Sequence, residues 1–171
     1  ARNYRLTIVQ AGAGYGKSTA LAALASQDIP LLWYHLDRED AEPIRFLLYV
    51  LQGLTQTLPD FSQTPLALWE QWEQTTRPFP GELIIDTLTN ELSRHSEEIF
   101  FVMDDAHMVN NTAVTCNLLS RLINHAPSNL HVLLSTRYPM QLEQLVTWRL
   151  RGNLLEISQA ELAFTPAEIN L

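Results

Sequence analysis

One cysteine, Cys116, is all the chain has, so no internal disulfide can form. Neither Cys nor His falls into the spacings of a zinc site. A reducing, cytoplasmic setting is expected on that basis. Basic residues are also scarce. Eleven Lys and Arg stand against nineteen Asp and Glu, for a formal net charge of −8. A domain that grips nucleic-acid phosphates carries a basic face, so no direct nucleic-acid contact by this segment is expected. No apolar run is long enough to cross a membrane. No repeat or low-complexity tract is present. Residue 1 is Ala rather than Met, and no secretory leader precedes the first apolar run. That beginning reads as a domain cut from a longer protein.

What the sequence does have is an ordinary globular composition, 46% hydrophobic and 18% charged over 171 residues. This length suits one domain, residues 1–171. Apolar runs alternate with helical patterns. Strands are expected at Leu6–Gln10, Leu31–Leu36, Ile99–Met103, Leu130–Leu134 and Leu154–Ile157. Helices are expected at Gly16–Ser26, Ile44–Leu58, a short segment opened by Thr64-Pro65, Gly81–His95, Asn111–His125 and Gln141–Arg151. Residues 59–81, with four prolines, read as an irregular insertion. Thr165-Pro166-Ala167-Glu168 is a capping box, so 165–171 reads as the start of a linker helix to a following domain.

These strands lack polar alternation, as expected of strands buried on both faces. Alternation with helices then predicts an α/β fold: a three-layer α/β/α sandwich on a five-stranded parallel sheet.

The strongest motif is Ala11-Gly12-Ala13-Gly14-Tyr15-Gly16-Lys17-Ser18-Thr19, between the first strand and the first helix. Its glycines let the backbone curl so that successive N–H groups face inward. The helix that follows adds the positive end of its dipole. Residues Gly12, Ala13, Gly14, Tyr15, Gly16, Lys17, Ser18 and Thr19 are therefore the candidate phosphate cradle. Lys17 is placed to reach the β and γ phosphates, and Ser18 to ligate Mg²⁺. Thr19 is assigned to the α phosphate. A glycine-rich turn before an ordinary helix is the alternative.

The third strand ends in Asp104-Asp105. A strand of this kind delivers a carboxylate to the sheet edge where ligands bind. Asp104 is the candidate Mg²⁺ partner. Asp105 is the candidate that orients or deprotonates an attacking water. Turn-forming aspartates after a strand are the plain alternative. ATP or ADP with Mg²⁺ is the expected cofactor set.

One strand, Leu31–Leu36, lies in sequence between the loop strand and the Asp104 strand. That arrangement resembles the ASCE division of P-loop ATPases, which includes the AAA and STAND groups. The resemblance implies strand order 5-1-4-3-2 and sets the end of the fourth strand beside the γ-phosphate. Ser135-Thr136-Arg137 occupies that end. Arg137 is the candidate γ-phosphate sensor and Thr136 a candidate partner of the attacking water; a charged residue simply leaving a strand is the alternative.

Several strings are specific together: the loop with its Ile8-Val9-Gln10 approach, Trp33-Tyr34-His35-Leu36-Asp37, Asp104-Asp105-Ala106-His107, Ser135-Thr136-Arg137, and Leu154 to Thr165. The set resembles the ATPase domain of MalT-like, large LuxR-type bacterial transcription regulators of the STAND class, over nearly the whole chain. The resemblance implies ATP binding with slow hydrolysis, used as a signal-gated conformational switch. It implies ADP in a resting state and ATP in a self-associating one, with adjacent domains in the same longer chain. It also implies an adenine-touching segment ahead of the first strand, where only Ala1–Arg5 stand here. An AAA-type ring loader, a small-molecule kinase and a binding module without turnover are the rival functions.

Other residues carry two readings each. His107 is either a coupling residue for the γ-phosphate or a structural histidine under the loop. Leu66, Trp69 and Trp72 form a stripe read as core, as is Trp33. Asp37-Arg38-Glu39-Asp40 reads as a solvated loop. Arg149 and Arg151 suit a helix C-terminus, with contact to a neighbouring subunit's nucleotide as the alternative.

Overall fold

The computed structural model describes residues 3–23 and 29–162. Five strands form one wholly parallel sheet: β1 Leu6–Gln10, β2 Leu31–His35, β3 Ile99–Asp104, β4 Leu130–Thr136 and β5 Leu154–Ser158. Their order is β2-β3-β4-β1-β5, the expected 5-1-4-3-2 read from the other edge. Seven α-helices accompany them among the described residues: α1 Lys17–Ala22, α2 Pro43–Thr57, α3 Thr64–Glu73, α4 Gly81–Leu92, α5 Ala113–His125, α6 Leu145–Leu150 and α7 Gln159–Leu162.

The apolar strands are apolar because both faces are covered. Successive side chains point to opposite faces. Ile8, Phe101, Met103, Val132 and Leu134 therefore enter the large core with α2, α4 and α5. Their neighbours Val9, Phe100, Val102 and Leu133 enter a smaller core with Leu21 of α1. The three-layer α/β/α sandwich follows directly.

Helix α2 shows how sequence sets the packing. Pro43 occupies the first turn, and the Glu42 side chain accepts a hydrogen bond from the Arg45 amide at 2.8 Å. Phe46, Leu47, Val50, Leu51 and Leu54 then recur on one face and are fully buried. Each such side chain contributes about 1.5–3 kcal/mol. Helices α4 and α5 are tied by Arg121, which donates to both Asp86 oxygens at 2.7 and 2.6 Å. His125 reaches the same carboxylate at 3.0 Å.

Residues 59–81 prove more regular than an insertion. Helix α3 lies within them. Trp69 is buried there and meets Trp72 and Phe79 edge-on, at 5.6 and 5.7 Å between ring centroids. The Trp stripe is thus core, and its aromatic area is what orders a proline-rich stretch. Trp33 is half-buried against the smaller core.

Asp37–Asp40 is the second departure. Asp40 is only 1% exposed. It accepts hydrogen bonds from the Tyr34 hydroxyl at 2.7 Å, the Asp37 amide at 2.8 Å and Arg45 Nε at 3.0 Å. Burial, the Asp40 bond and the Asp40 charge push the Tyr34 hydroxyl pKa far up. The run is a buried carboxylate joining β2 to α2, flanked by exposed acids.

Element ends also shift. Strand β4 continues through Ser135 and Thr136, because these pair with Val9 and Gln10 of β1. Helix α6 starts at Leu145 rather than Gln141. Asn110 competes for that backbone, accepting from the Gln141 amide at 3.0 Å and donating to the Pro139 carbonyl at 3.0 Å. The Thr165 capping box and the last turn of the first predicted helix lie outside the described residues.

Candidate nucleotide-binding site

All five strands point their C-terminal ends at one edge, and the candidate residues gather there. The loop leaves β1 at Ala11, whose amide donates to the Thr136 carbonyl at 3.2 Å. Gly14 and Gly16 adopt left-handed φ values of 81° and 72°, which side-chain-bearing residues resist. Gly16 begins α1, with the Ala20 amide bonded to its carbonyl at 2.8 Å. Left-handed glycines ahead of a helix are the backbone conformation that an anion cradle requires.

Lys17 is buried and folds back over its own loop. Its ammonium donates to the Ala11 carbonyl at 2.9 Å and the Gly12 carbonyl at 2.8 Å. Ser18 Oγ donates to Asp104 Oδ2 at 2.9 Å, joining α1 to β3. Asp104 lies opposite His35 in the β2–β3 ladder, and His35 Nδ1 stands 3.7 Å from its carboxylate. Burial alone would raise the Asp104 pKa. The Ser135 hydroxyl next to it, the Ser18 hydroxyl and the Asp105 amide outweigh burial, and His35 adds to them. The carboxyl is held below its ordinary value and stays anionic at neutral pH. Tyr15 and Thr19 are exposed at the loop surface.

Asp105 takes a left-handed conformation, φ 54°, the one non-glycine among the described residues to do so. Its side chain reaches the residue that follows β4. Its carboxylate meets Arg137 twice, with Nε to Oδ1 and Nη2 to Oδ2 both at 3.3 Å. The two residues assigned separate roles from the sequence are therefore each other's partners here. The Thr136 hydroxyl donates to the Tyr138 carbonyl at 2.6 Å, which fixes the turn carrying Arg137. Arg149 is bound at both guanidinium ends by Glu156, at 2.8 and 2.7 Å. That contact favours the local reading of Arg149.

One residue here escaped sequence reasoning, Gln159, and another, Ser135, was placed at its strand end but given no role. Gln159 of α7 accepts a hydrogen bond from the Gly12 amide at 3.1 Å, across 147 positions. It also closes a cleft of about 400 Å³ between the loop, Arg137 and β5. Ser135 is fully buried beside Asp104, close enough for its hydroxyl to stabilise that carboxylate, yet the hydroxyl completes no well-formed hydrogen bond. A carboxylate kept ionised, a serine hydroxyl and a second, buried serine hydroxyl make an all-oxygen donor set, which fits a hard cation such as Mg²⁺.

No family model matches the chain. Over 168 residues, 97% of its length, the chain is 30% identical to the HTH-type transcriptional regulator MalT of Yersinia enterocolitica. Over 170 residues it is 32% identical to the MalT regulator of Cronobacter sakazakii. Over nearly its whole length the chain is therefore similar to one part of a MalT regulator. It spans 18% of the length of these regulators. Among solved structures, the chain resembles one of Drosophila ORC bound to AT-rich DNA and Cdc6, with TM-score 0.55, 14% identity, and coverage of 92% of this chain and 50% of that one. The Aeropyrum pernix ORC1 protein in complex with DNA gives TM-score 0.56 at 13% identity, over 96% of this chain and 41% of that one. At these identities the likenesses establish the fold alone: a five-stranded parallel sheet between helical layers.

Proposed function

We propose that this domain binds ATP and ADP with Mg²⁺, hydrolyses ATP slowly, and acts as a conformational switch in a longer transcription regulator. The observation that carries the reading is the 2.9 Å contact of Ser18 with an ionised Asp104, beside a lysine folded onto its own loop. Lys17 would exchange two carbonyl oxygens for phosphate oxygens, a stronger set of acceptors for an ammonium. Ser18 and Asp104 would hold the Mg²⁺, which when bound supplies charge neutralisation at the phosphates.

The Asp105–Arg137 pair supports the switch. In the absence of a γ-phosphate, Arg137 is held by Asp105 and the candidate base is neutralised by its partner. A γ-phosphate competes for Arg137, and Asp105 is then free to accept a proton from water. ATP and ADP thus differ in one interaction, and that difference is what a two-state switch requires. Gln159 ties the loop to the segment that leads out of β5, a contact through which a following domain would feel the change.

The test uses the full-length regulator. Phosphate release from ATP is expected to be slow but Mg²⁺-dependent, and small-angle scattering is expected to differ between ADP and the non-hydrolysable analogue AMP-PNP. Identical scattering in both states overturns the switch.

A further inference from the structure

We propose that His107 takes hold of Asp105 when Arg137 turns to the terminal phosphate, and so positions the hydrolytic carboxylate. The inference rests on the reading of Asp105 and Arg137 given above and assigns a residue which that reading does not use.

Three observations lead to it. The His107 side chain is 9% exposed, yet its Nδ1 has no hydrogen-bond partner. Buried ring nitrogens are normally satisfied, so an orphan calls for a reason. Second, Nδ1 stands 3.7 Å from Asp105 Oδ1, the same oxygen that Arg137 Nε approaches at 3.3 Å. Two donors face one acceptor, and the arginine now holds it. Closing the histidine to a normal distance of about 2.9 Å takes less than 1 Å of movement. Third, the ring packs edge-on against Tyr138, with centroids 5.4 Å apart. Tyr138 directly follows Arg137, so the turn that carries the arginine also holds the histidine.

The chemistry suits an exchange of partners. Burial lowers the His107 pKa, and Arg137 and Lys17 lower it further against the opposing pull of Asp105 and Asp104. The ring is therefore neutral at neutral pH. As the Nδ1–H tautomer it donates to Asp105 without adding a positive charge beside Lys17. A released Asp105 would otherwise be left with its fixed left-handed backbone and no side-chain partner to aim its carboxylate. A ring serving only as filler under the Ala106–Val109 turn would not need its nitrogen turned toward that oxygen.

The experiment compares the full-length parent with His107→Phe, which keeps the ring shape, and His107→Asn, whose amide nitrogen can stand near the Nδ1 position. ADP and AMP-PNP affinities are measured for each, with steady-state hydrolysis alongside. Phe is expected to leave ADP affinity within about twofold, to weaken AMP-PNP about tenfold with a similar rise in KM for ATP, and to lower kcat. Asn is expected to restore most of each loss. An unchanged ratio of AMP-PNP to ADP affinity in His107→Phe overturns the proposal, as does equal loss of both nucleotides without rescue by Asn. A parent that binds neither nucleotide, or does not distinguish them, overturns the underlying site reading and the His107 role with it. An intact parent ratio with an unaffected Phe variant overturns the His107 role alone.

Discussion

Replacing Lys17 with alanine gives a magnitude that can be worked from the structure. The ammonium is already buried and already holds two carbonyl oxygens, at 2.9 and 2.8 Å. Nucleotide binding therefore adds no large new desolvation of the lysine. Unit charges about 4 Å apart at an effective dielectric near 20 attract by about 4 kcal/mol. The two carbonyl bonds given up offset about 1 kcal/mol each. About 2 kcal/mol of net binding remains, roughly 30-fold in Kd. Isothermal titration of ATP with Mg²⁺ into parent and Lys17→Ala measures this directly. The unliganded variant should melt about 4–8 °C lower, because the two lost bonds contribute about 2 kcal/mol and each kcal/mol moves Tm by about 2–4 °C at this size. A weakening of less than about threefold, with the fold intact, would refute the reasoning.

Asp105→Asn should leave ATP affinity within about threefold and reduce phosphate release at least about 100-fold, since an amide cannot accept the proton; normal turnover would remove Asp105 from the chemistry. Asp40→Ala strips a buried acceptor from Tyr34, the Asp37 amide and Arg45. It should cost about 3 kcal/mol in denaturant unfolding with little effect on nucleotide affinity at constant fold. The Arg121 hydrogen bonds lower the Asp86 pKa, against burial, with His125 assisting. A depressed carboxylate stabilises the fold above its unfolded pKa, about 3.9, and loses that contribution as pH falls through the lower folded value. The stability gap between parent and Asp86→Asn should therefore be widest above about pH 5 and shrink in acid. A gap that widens below pH 4 would contradict the assignment.

The sheet was legible because its strands are apolar on both faces, which leaves few other places for Ile99–Met103 or Leu130–Leu134. The loop was legible because Gly14 and Gly16 mark the two positive φ angles that it needs. Local pattern could not show the ends of β4, where Ser135 and Thr136 extend the strand through pairing with β1. Nor could it show Asp40, whose burial depends on donors from two other elements. The same holds at the site. Asp105 and Arg137 were each readable from a strand end, but their contact spans 32 positions and depends on the adjacency of β3 and β4. Gln159 lay beyond reach, since its only signal is a fold that returns β5 beside β1.

The central claim is that Ser18 and Asp104 form one metal-dependent nucleotide site with the β1–α1 loop. Calorimetric titration of ATP into the parent and into Asp104→Asn, each with Mg²⁺ and with EDTA, tests it most directly. The parent should bind at least about tenfold more tightly with Mg²⁺ than without, and the variant should lose most of that difference. Equal Mg²⁺ dependence in the two proteins, or no ATP heat in the folded parent, would contradict the account.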